Sequence, residues 1–176
     1  MASENSVEVI ASGRYLRLMR WDNWEYAQRV DIGGIVGIVA VTDNDELVMV
    51  EQYRPAVGKR VIELPAGLVG DTSETKGEEF IQAAQRELLE ETGYSASTMV
   101  PICEGPPSSG TTSEVISMFF AKGLEKVGEG GGDHSEDITV HVIPVADVPA
   151  WVERQRQNGL LIDLRIYTGL FFINCR

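Results

Sequence analysis

The segment from Glu78 to Thr92 constrains the fold most, because it has the clearest helical periodicity in the chain. Its apolar residues recur at four-residue spacing from Phe80 to Leu88, which is the repeat of a helix with one buried face. Gly93 follows directly, and glycine commonly ends a helix in the left-handed conformation. We therefore expect a helix over 78–92 that packs on a hydrophobic core.

The remaining segments predict strands and two further helices around this one. They do not alternate as regularly as in a doubly wound parallel fold, so we expect an α/β (α+β) fold with a mixed sheet between helices. Ala66 and Gly67 are expected to form a tight loop before the helix. Strands are predicted over 7–10, 15–19, 24–30, 33–41, 47–53, 60–64, 98–103, 115–121 and 138–145, and helices over 148–157 and 160–172. The first three strands predict a separate N-terminal sheet, with a boundary that divides the chain into 1–31 and 32–176.

Charge and cysteine content exclude several classes of function. The net charge of −12 argues against binding to nucleic acid or to an anionic membrane through a basic face. Cys103 and Cys175 are far apart and predict neither a disulfide framework nor a metal cluster, so a reducing, cytoplasmic location is expected. The polar N-terminus lacks the features of a signal peptide, and no apolar stretch is long enough to span a bilayer.

Three carboxylates on the predicted helix are the first candidates for chemistry. Glu87, Glu90 and Glu91 are three or four residues apart, so they share one helix face. Such a group is often only a solvated surface, because like charges at this spacing repel weakly. Arg86 lies four residues before Glu90 and is placed to pair with it. Oxygen ligands of this kind suit Mg²⁺, which binds through a few carboxylates together with substrate phosphates.

The residues from Glu78 to Tyr94 carry a specific pattern. A glutamate is followed after seven residues by Arg-Glu-Leu-Leu-Glu-Glu-Thr-Gly-Tyr, which resembles the Nudix box throughout its helical part. One departure is that Thr72 stands where the family usually has its first glycine. Gly67 is the expected equivalent, with about five additional residues in the loop that precedes the helix. The resemblance implies a Nudix α/β/α sandwich that hydrolyses a diphosphate.

The resemblance also implies the metal site. Glu87 and Glu91 would be the main ligands of Mg²⁺, or of Mn²⁺ in its place, with Glu90 assisting and the Ala66 carbonyl completing the set. Glu78 and Arg86 would hold the helix and its carboxylates in register. The metal ions would polarise the phosphates and activate water.

Three further segments are similar to the ADP-ribose and nucleotide-sugar pyrophosphatase branch of that family, and they are found at residues 51–55, 63–67 and 110–114. This branch implies cleavage of a nucleoside diphosphate sugar to a nucleoside monophosphate and a sugar phosphate. It also implies a homodimer whose N-terminal sheet crosses over. Two features argue against strict specificity for ADP-ribose. They are Ser109 and the segment Asp163-Leu164-Arg165, which stands in place of an Asp-x-Lys motif. A non-catalytic nucleotide-sugar sensor, a strict ADP-ribose pyrophosphatase and a nucleoside-triphosphate hydrolase remain as alternatives.

The same resemblance implies residues for substrate binding and for the catalytic base. Trp24 would stack on a nucleobase or would only fill the dimer interface, while Arg29 and Arg54 would bind phosphates. Glu136 is the expected base, on a glycine-rich loop over 128–137 that is expected to close over substrate, and His134 is the second candidate. Glu114, Asp163 and Arg165 complete the predicted substrate site, although Asp163 and Arg165 also fit a solvated helix face.

Overall fold

Two β-sheets organise the computed structural model, which describes residues 7–132 and 137–175. The first sheet has three antiparallel strands in the order β1-β2-β3. These strands are β1 Glu8–Ser12, β2 Leu16–Trp21 and β3 Trp24–Arg29. This is the small N-terminal sheet that the sequence predicted.

The second sheet contains the other eight strands and is mixed. Its main path runs β11-β6-β5-β4-β9-β8, with β10 paired to β5 and β7 paired to β4. The pairs β4–β9 and β11–β6 are parallel, and the remaining pairs are antiparallel. The strands are β4 Gly34–Val41, β5 Glu46–Arg54, β6 Lys59–Glu63, β7 Ala66–Val69, β8 Tyr94–Gly105, β9 Ile116–Lys126, β10 Thr139–Pro144 and β11 Leu161–Ile162.

Three α-helices cover the two faces of this sheet. They are α1 Phe80–Thr92, α2 Val148–Gln157 and α3 Leu164–Asn174, and a 3-10 turn at Val145–Asp147 precedes α2. Strand β4 is buried on both sides, as a central strand between two helical layers must be. Its residues Val36 and Ile38 pack in the cluster that contains Leu88 of α1. Val39 packs on the opposite face with Ile166 of α3. The predicted α/β/α sandwich is therefore confirmed.

Several boundaries differ from the sequence prediction. Helix α1 begins at Phe80 rather than at residue 78, and the backbone N–H of Glu79 donates to the side chain of Gln82 at 3.2 Å. Ala66 and Gly67 do not form a loop, because they open strand β7 against β4. The last helix begins at Leu164, since residues 161–162 pair with β6 instead. No helix among residues 7–132 and 137–175 is long and apolar enough to cross a bilayer.

The glycine-rich segment 128–132, which is the first part of the predicted loop over 128–137, lies against the end of α1. Gly131 and Gly132 donate their backbone N–H groups to the carbonyls of Glu91 at 2.9 Å and Glu90 at 3.0 Å. Gly130 has φ of +73°, and a Cβ there would overlap the main chain at the end of α1. Glycine is needed here both for the conformation and for the close approach.

Candidate active site

A cleft of about 1010 Å³ opens beside the C-terminal half of α1. Its walls come from β5, β6, β7, α1 and the start of α3, and Arg29 at the end of β3 also reaches it. Four arginines and eight carboxylates line it. The arginines are Arg29, Arg54, Arg86 and Arg165, and the carboxylates are Glu63, Asp71, Glu74, Glu87, Glu90, Glu91, Glu114 and Asp163. A negatively charged substrate therefore needs cations in order to bind here.

Arg86 is the centre of the carboxylate group on α1. Its Nη1 donates to Glu87 at 2.8 Å and to Glu90 at 2.9 Å. Its Nη2 donates to Glu78 at 2.9 Å and to the Leu68 carbonyl of β7 at 2.9 Å. One planar guanidinium thus ties the helix to the neighbouring strand and binds three carboxylates, which an ammonium group cannot do in the same geometry.

Glu78 anchors the loop that precedes α1. Its carboxylate accepts from Arg86 and from the backbone N–H of Gly70 at 3.0 Å. The Arg86 hydrogen bond is the main cause that lowers the pKa of Glu78, and Glu78 in turn is the main cause that raises the pKa of Arg86. The ion pair links the loop to the helix.

Glu87 is the carboxylate that burial affects most strongly. Its side chain is 13% exposed, and burial raises its pKa to about 7 despite the neighbouring Arg86. Nearby Glu90 and Asp71 raise it further through charge repulsion. A Cβ at position 67 would collide with the Glu87 carboxyl, so only glycine leaves room for it. This contact supports Gly67, rather than Thr72, as the glycine of the box.

Glu91 reaches the same two-residue segment of β7. It is 3% exposed, and its carboxylate accepts the backbone N–H of Ala66 at 3.0 Å. Glu87 and Glu91 therefore converge on Ala66 and Gly67 from one helix face. Their hard oxygen atoms fit a divalent cation such as Mg²⁺.

The acidic side chains are already hydrogen-bonded in this arrangement. Among residues 7–132 and 137–175, no group of three or more His, Cys, Asp or Glu side chains is arranged as a metal cage. In this arrangement Arg86 binds oxygens of Glu87 and Glu90, and the Ala66 N–H binds Glu91. A cation that enters has to displace these hydrogen bonds, and the oxygen-only donor set remains suitable for it.

The predicted substrate residues fall into three groups around the cleft. Arg29 pairs with Glu114 at 2.6 Å, and both side chains line the cleft. Asp163 begins α3, where it accepts the backbone N–H of Arg165 at 2.7 Å and pairs with its guanidinium at 2.6 Å. Burial raises the pKa of Asp163, but the hydrogen bonds and the positive charge of Arg165, together with the charge of Arg54, outweigh burial and lower this pKa overall. The pair is thus a cleft wall and not a solvated helix face.

Arg54 and Trp24 differ in their position. Arg54 lines the cleft and pairs with Glu63 at 2.6 Å. Trp24 is 56% exposed at the tip of the β2–β3 hairpin and does not line the cleft of its own chain. Glu136 and His134 lie outside the described residues.

Sequence reasoning missed two parts of the cleft. Glu63 was not predicted as a site residue, although it opens the segment 63–67 that resembles the pyrophosphatase branch. It is 5% exposed at the end of β6, and a buried carboxylate of this kind requires a partner. The loop before α1 contributes Asp71 and Glu74 to the wall, and mutual hydrogen bonds between Thr72 and Thr75 shape it. The sequence showed additional residues there but not the direction in which they face.

The fold is an α/β/α sandwich with an acidic cleft, and comparison with known proteins gives the family. Residues 33–163 match the model of the NUDIX domain, so the chain belongs to the NUDIX domain family. The prediction of a Nudix hydrolase is confirmed. Members of this family generally need a divalent metal ion.

Two curated relatives are similar to this chain, and the second of them agrees with the predicted branch. The chain is 33% identical to a methanol dehydrogenase activator of Bacillus methanolicus over 156 residues, which is 85% of this chain and 82% of that protein. It is 38% identical to an ADP-ribose pyrophosphatase of Mycobacterium tuberculosis over 122 residues, which is 69% of this chain but only 57% of that protein.

A solved structure supports the fold alone. The crystal structure of an ADP compounds hydrolase superposes with a TM-score of 0.73 at 22% sequence identity. The match covers 96% of this chain and 90% of that one, so it includes the N-terminal sheet.

Proposed function

We propose that this chain hydrolyses the pyrophosphate bond of a nucleoside diphosphate sugar, releasing a nucleoside monophosphate and a sugar phosphate. ADP-ribose, GDP-mannose and UDP- or ADP-hexoses form the candidate class. The observation that carries the proposal is the convergence of Glu87 and Glu91 on Ala66 and Gly67, inside a cleft that arginines also line. The names of the relatives support the substrate class.

The residues divide into those that hold metal and those that hold substrate. Glu87, Glu90, Glu91 and the Ala66 carbonyl would hold Mg²⁺, with Mn²⁺ as a substitute. Bound metal supplies a Lewis acid for the phosphates and a more acidic water. Arg86, held by Glu78, keeps the carboxylates of Glu87 and Glu90 together against their mutual repulsion.

The substrate would be bound by the arginines that line the cleft and by the polar residues beside them. Arg54 and Arg29 are suited to phosphate, because a guanidinium presents paired donors to an anionic oxygen. Glu114, Asp163 and Arg165 offer acceptors and donors for hydroxyl groups of the sugar. The proposed base is Glu136, with His134 as the alternative, and this choice rests on the sequence alone.

A homodimer is proposed from the surface of the N-terminal sheet, residues 1–31, which precedes the hydrolase domain of residues 32–176. Val9, Leu16, Trp21 and Trp24 of this sheet are each about half exposed, at 48–56%. An apolar surface of this kind in one chain suits an interface with a second copy. Trp24 would then lie against the partner and stack on the nucleobase there. The free thiols of Cys103 and Cys175 fit the proposed cytoplasmic location.

The decisive experiment is a substrate panel. The protein is incubated with Mg²⁺ and ADP-ribose, GDP-mannose, UDP-glucose or dGTP, and products are identified by chromatography. We expect a nucleoside monophosphate and a sugar phosphate from at least one diphosphate sugar. Binding without any turnover would favour a non-catalytic sensor. Turnover of ADP-ribose alone would favour a strict ADP-ribose pyrophosphatase, and a preference for dGTP would favour a nucleoside-triphosphate hydrolase.

Two variants test the assigned metal ligands. Glu91→Gln should abolish turnover, because it replaces a charged ligand by a neutral one while keeping the shape of the side chain. Glu125→Gln removes the same charge from an exposed position on β9 and should leave turnover unchanged. Full activity of Glu91→Gln would overturn the ligand assignment.

A further inference from the structure

Glu63 is a buried carboxylate between two arginines of the cleft. Its side chain is 7% exposed, whereas that of Arg54 is 41% exposed and that of Arg165 is 20% exposed. Its Oε2 accepts from Nε of Arg54 at 3.0 Å and from Nη2 at 2.6 Å. Its Oε1 lies 3.8 Å from Nη2 of Arg165. One carboxylate therefore contacts guanidinium groups that come from β5 and from α3.

The two guanidiniums are engaged in the same way. Arg54 uses Nε and Nη2 on Glu63, and Arg165 uses Nε and Nη2 on Asp163. In the described part of the chain, Nη1 of either arginine donates no hydrogen bond. Each guanidinium thus keeps one terminal nitrogen available while its other edge is fixed by a carboxylate.

The geometry points to Glu63 as a positioning residue for two arginines. It orients Arg54 through direct hydrogen bonds and Arg165 through the contact that Glu63 makes with its guanidinium. As a result, the Nη1 atom of each arginine faces the anionic groups of the substrate. This inference rests on the proposed function for the identity of the substrate. Glu63 determines which edge of each guanidinium is left to bind the ligand. Glu63 itself does not contact the ligand.

The crowded charge of the cleft explains why such a residue is needed. Arg54 and Arg165 lie among eight carboxylates, and a flexible arginine would pair with whichever of them is nearest. Burial lowers the pKa of Arg165, but Asp163, Glu63 and Glu91 together raise it above its ordinary value. This guanidinium is therefore within electrostatic range of a carboxylate that the proposed metal requires. Pairing with Glu63 keeps the arginines on the substrate wall.

Glu63 is not required to dock α3. The backbone N–H of Asp163 donates to the Ile62 carbonyl at 2.9 Å, and Ile166 is fully buried against the core. These contacts remain when Glu63 becomes glutamine, which keeps the shape and one acceptor oxygen. We therefore expect Glu63→Gln to fold, which thermal denaturation checks.

The test is a double-mutant cycle on binding of ADP in Mg²⁺, measured by calorimetry. Glu63→Gln and Arg54→Met should each weaken binding by about tenfold, the effect of one hydrogen bond to a charged group. The double variant should bind within about twofold of Arg54→Met, because Glu63 acts mainly through Arg54. The positioning role is wrong if the loss of ADP affinity in the double variant equals the product of the two single losses. It is also wrong if Glu63→Gln binds ADP as tightly as the wild type.

Steady-state kinetics and a matched control separate positioning from stability. With the diphosphate sugar that the wild type cleaves, Glu63→Gln should raise KM by about tenfold and change kcat by less than about threefold. Glu51→Gln disrupts a similar pair, Glu51–Arg60 at 2.5 Å, outside the cleft, and should leave ADP binding unchanged. An equal effect in Glu51→Gln would overturn the proposal.

The ADP titrations involve no turnover, so they separate the two claims. A wild type that binds ADP and cleaves no diphosphate sugar refutes the proposed function, and the cycle still decides the role of Glu63. A wild type that does not bind ADP refutes the role of Glu63, whereas the substrate panel still decides the function.

Discussion

Glu87→Gln should stabilise the metal-free protein at alkaline pH, because the wild type has to ionise a buried carboxylate there. Burial raises the pKa of Glu87 from 4.5 to about 7. Between these two values the unfolded chain has lost this proton while the folded chain retains it. The folded state binds more protons, so stability falls as pH rises through this window and stays reduced above pH 7.

The magnitude follows from the size of the shift. A difference of that size between the folded and unfolded pKa lowers the free energy of unfolding of the wild type by about 3 kcal/mol at pH 8, and by less than about 1 kcal/mol at pH 5. Glutamine has no proton to lose and still offers an oxygen to Nη1 of Arg86, which bonds Glu87 at 2.8 Å. For a chain of this length, about 3 kcal/mol is a rise in Tm of roughly 6–12 °C.

Urea unfolding in EDTA at pH 5, 6, 7 and 8 measures the effect for the wild type and for Glu87→Gln. Glu125→Gln serves as the control for the loss of one negative charge from a chain of net charge −12, and its stability difference should not change with pH. Saturating Mg²⁺ should reverse the ranking at pH 8, because the proposed ligand Glu87 is charged only in the wild type and a bound ligand stabilises the folded state. If Glu87→Gln is no more stable at pH 8 than at pH 5 relative to the wild type, the burial argument is wrong.

Three further changes test the supports of the site. Gly67→Ala should reduce kcat/KM by about a hundredfold or more with a folded circular dichroism spectrum, because its Cβ displaces the Glu87 carboxyl; normal activity would show that this contact is unimportant. Arg86→Lys should reduce kcat/KM by about tenfold or more and lower Tm, because an ammonium cannot reproduce the four contacts of the guanidinium. Gly130→Ala should cost about 1–3 kcal/mol in urea unfolding, whereas Gly110→Ala, which meets no neighbour, should be neutral, and equal effects would contradict the docked loop.

Elements with a strong local signal were predictable from the sequence. The amphipathic stripe and Gly93 placed α1 within two residues of its observed start, and α2 was predicted with its observed bounds. The apolar runs of β4 and β5 were also visible. The turn residues between them also indicated an antiparallel hairpin, and the two strands do pair, at Ala40–Val48 and Val41–Leu47. The longer pairing of β4 with β7 and β9 was not visible in the sequence.

Short elements that depend on distant partners were not predictable. Strand β7 has only four residues and contains Gly67, which has a low tendency to form a strand. It is a strand because it pairs with β4. Strand β11 has two residues and exists because β6 lies beside it. Local propensity contains no information about such neighbours.

The candidate site divides in the same way. The carboxylates of α1 and their link to Arg86 follow from helical spacing, so a single element determines them. The Arg29–Glu114 pair joins residues 85 positions apart, and the contact of Glu63 with Arg165 joins β6 to the start of α3. These pairs depend on how the sheets and helices meet, which the spacing of residues within one segment does not reveal.

The position of the carboxylates on α1 creates an electrostatic problem that the glycine-rich segment helps to solve. They lie in the last turns of the helix, where the unpaired carbonyls carry partial negative charge and disfavour anions. Here the Thr92 carbonyl accepts from the ammonium of Lys126 at 2.6 Å, while Gly131 and Gly132 donate to the preceding two carbonyls. Each donor offsets part of the dipole next to Glu87 and its neighbours. The glycines therefore bring backbone N–H groups close to the helix end, which explains why this segment is docked there rather than free.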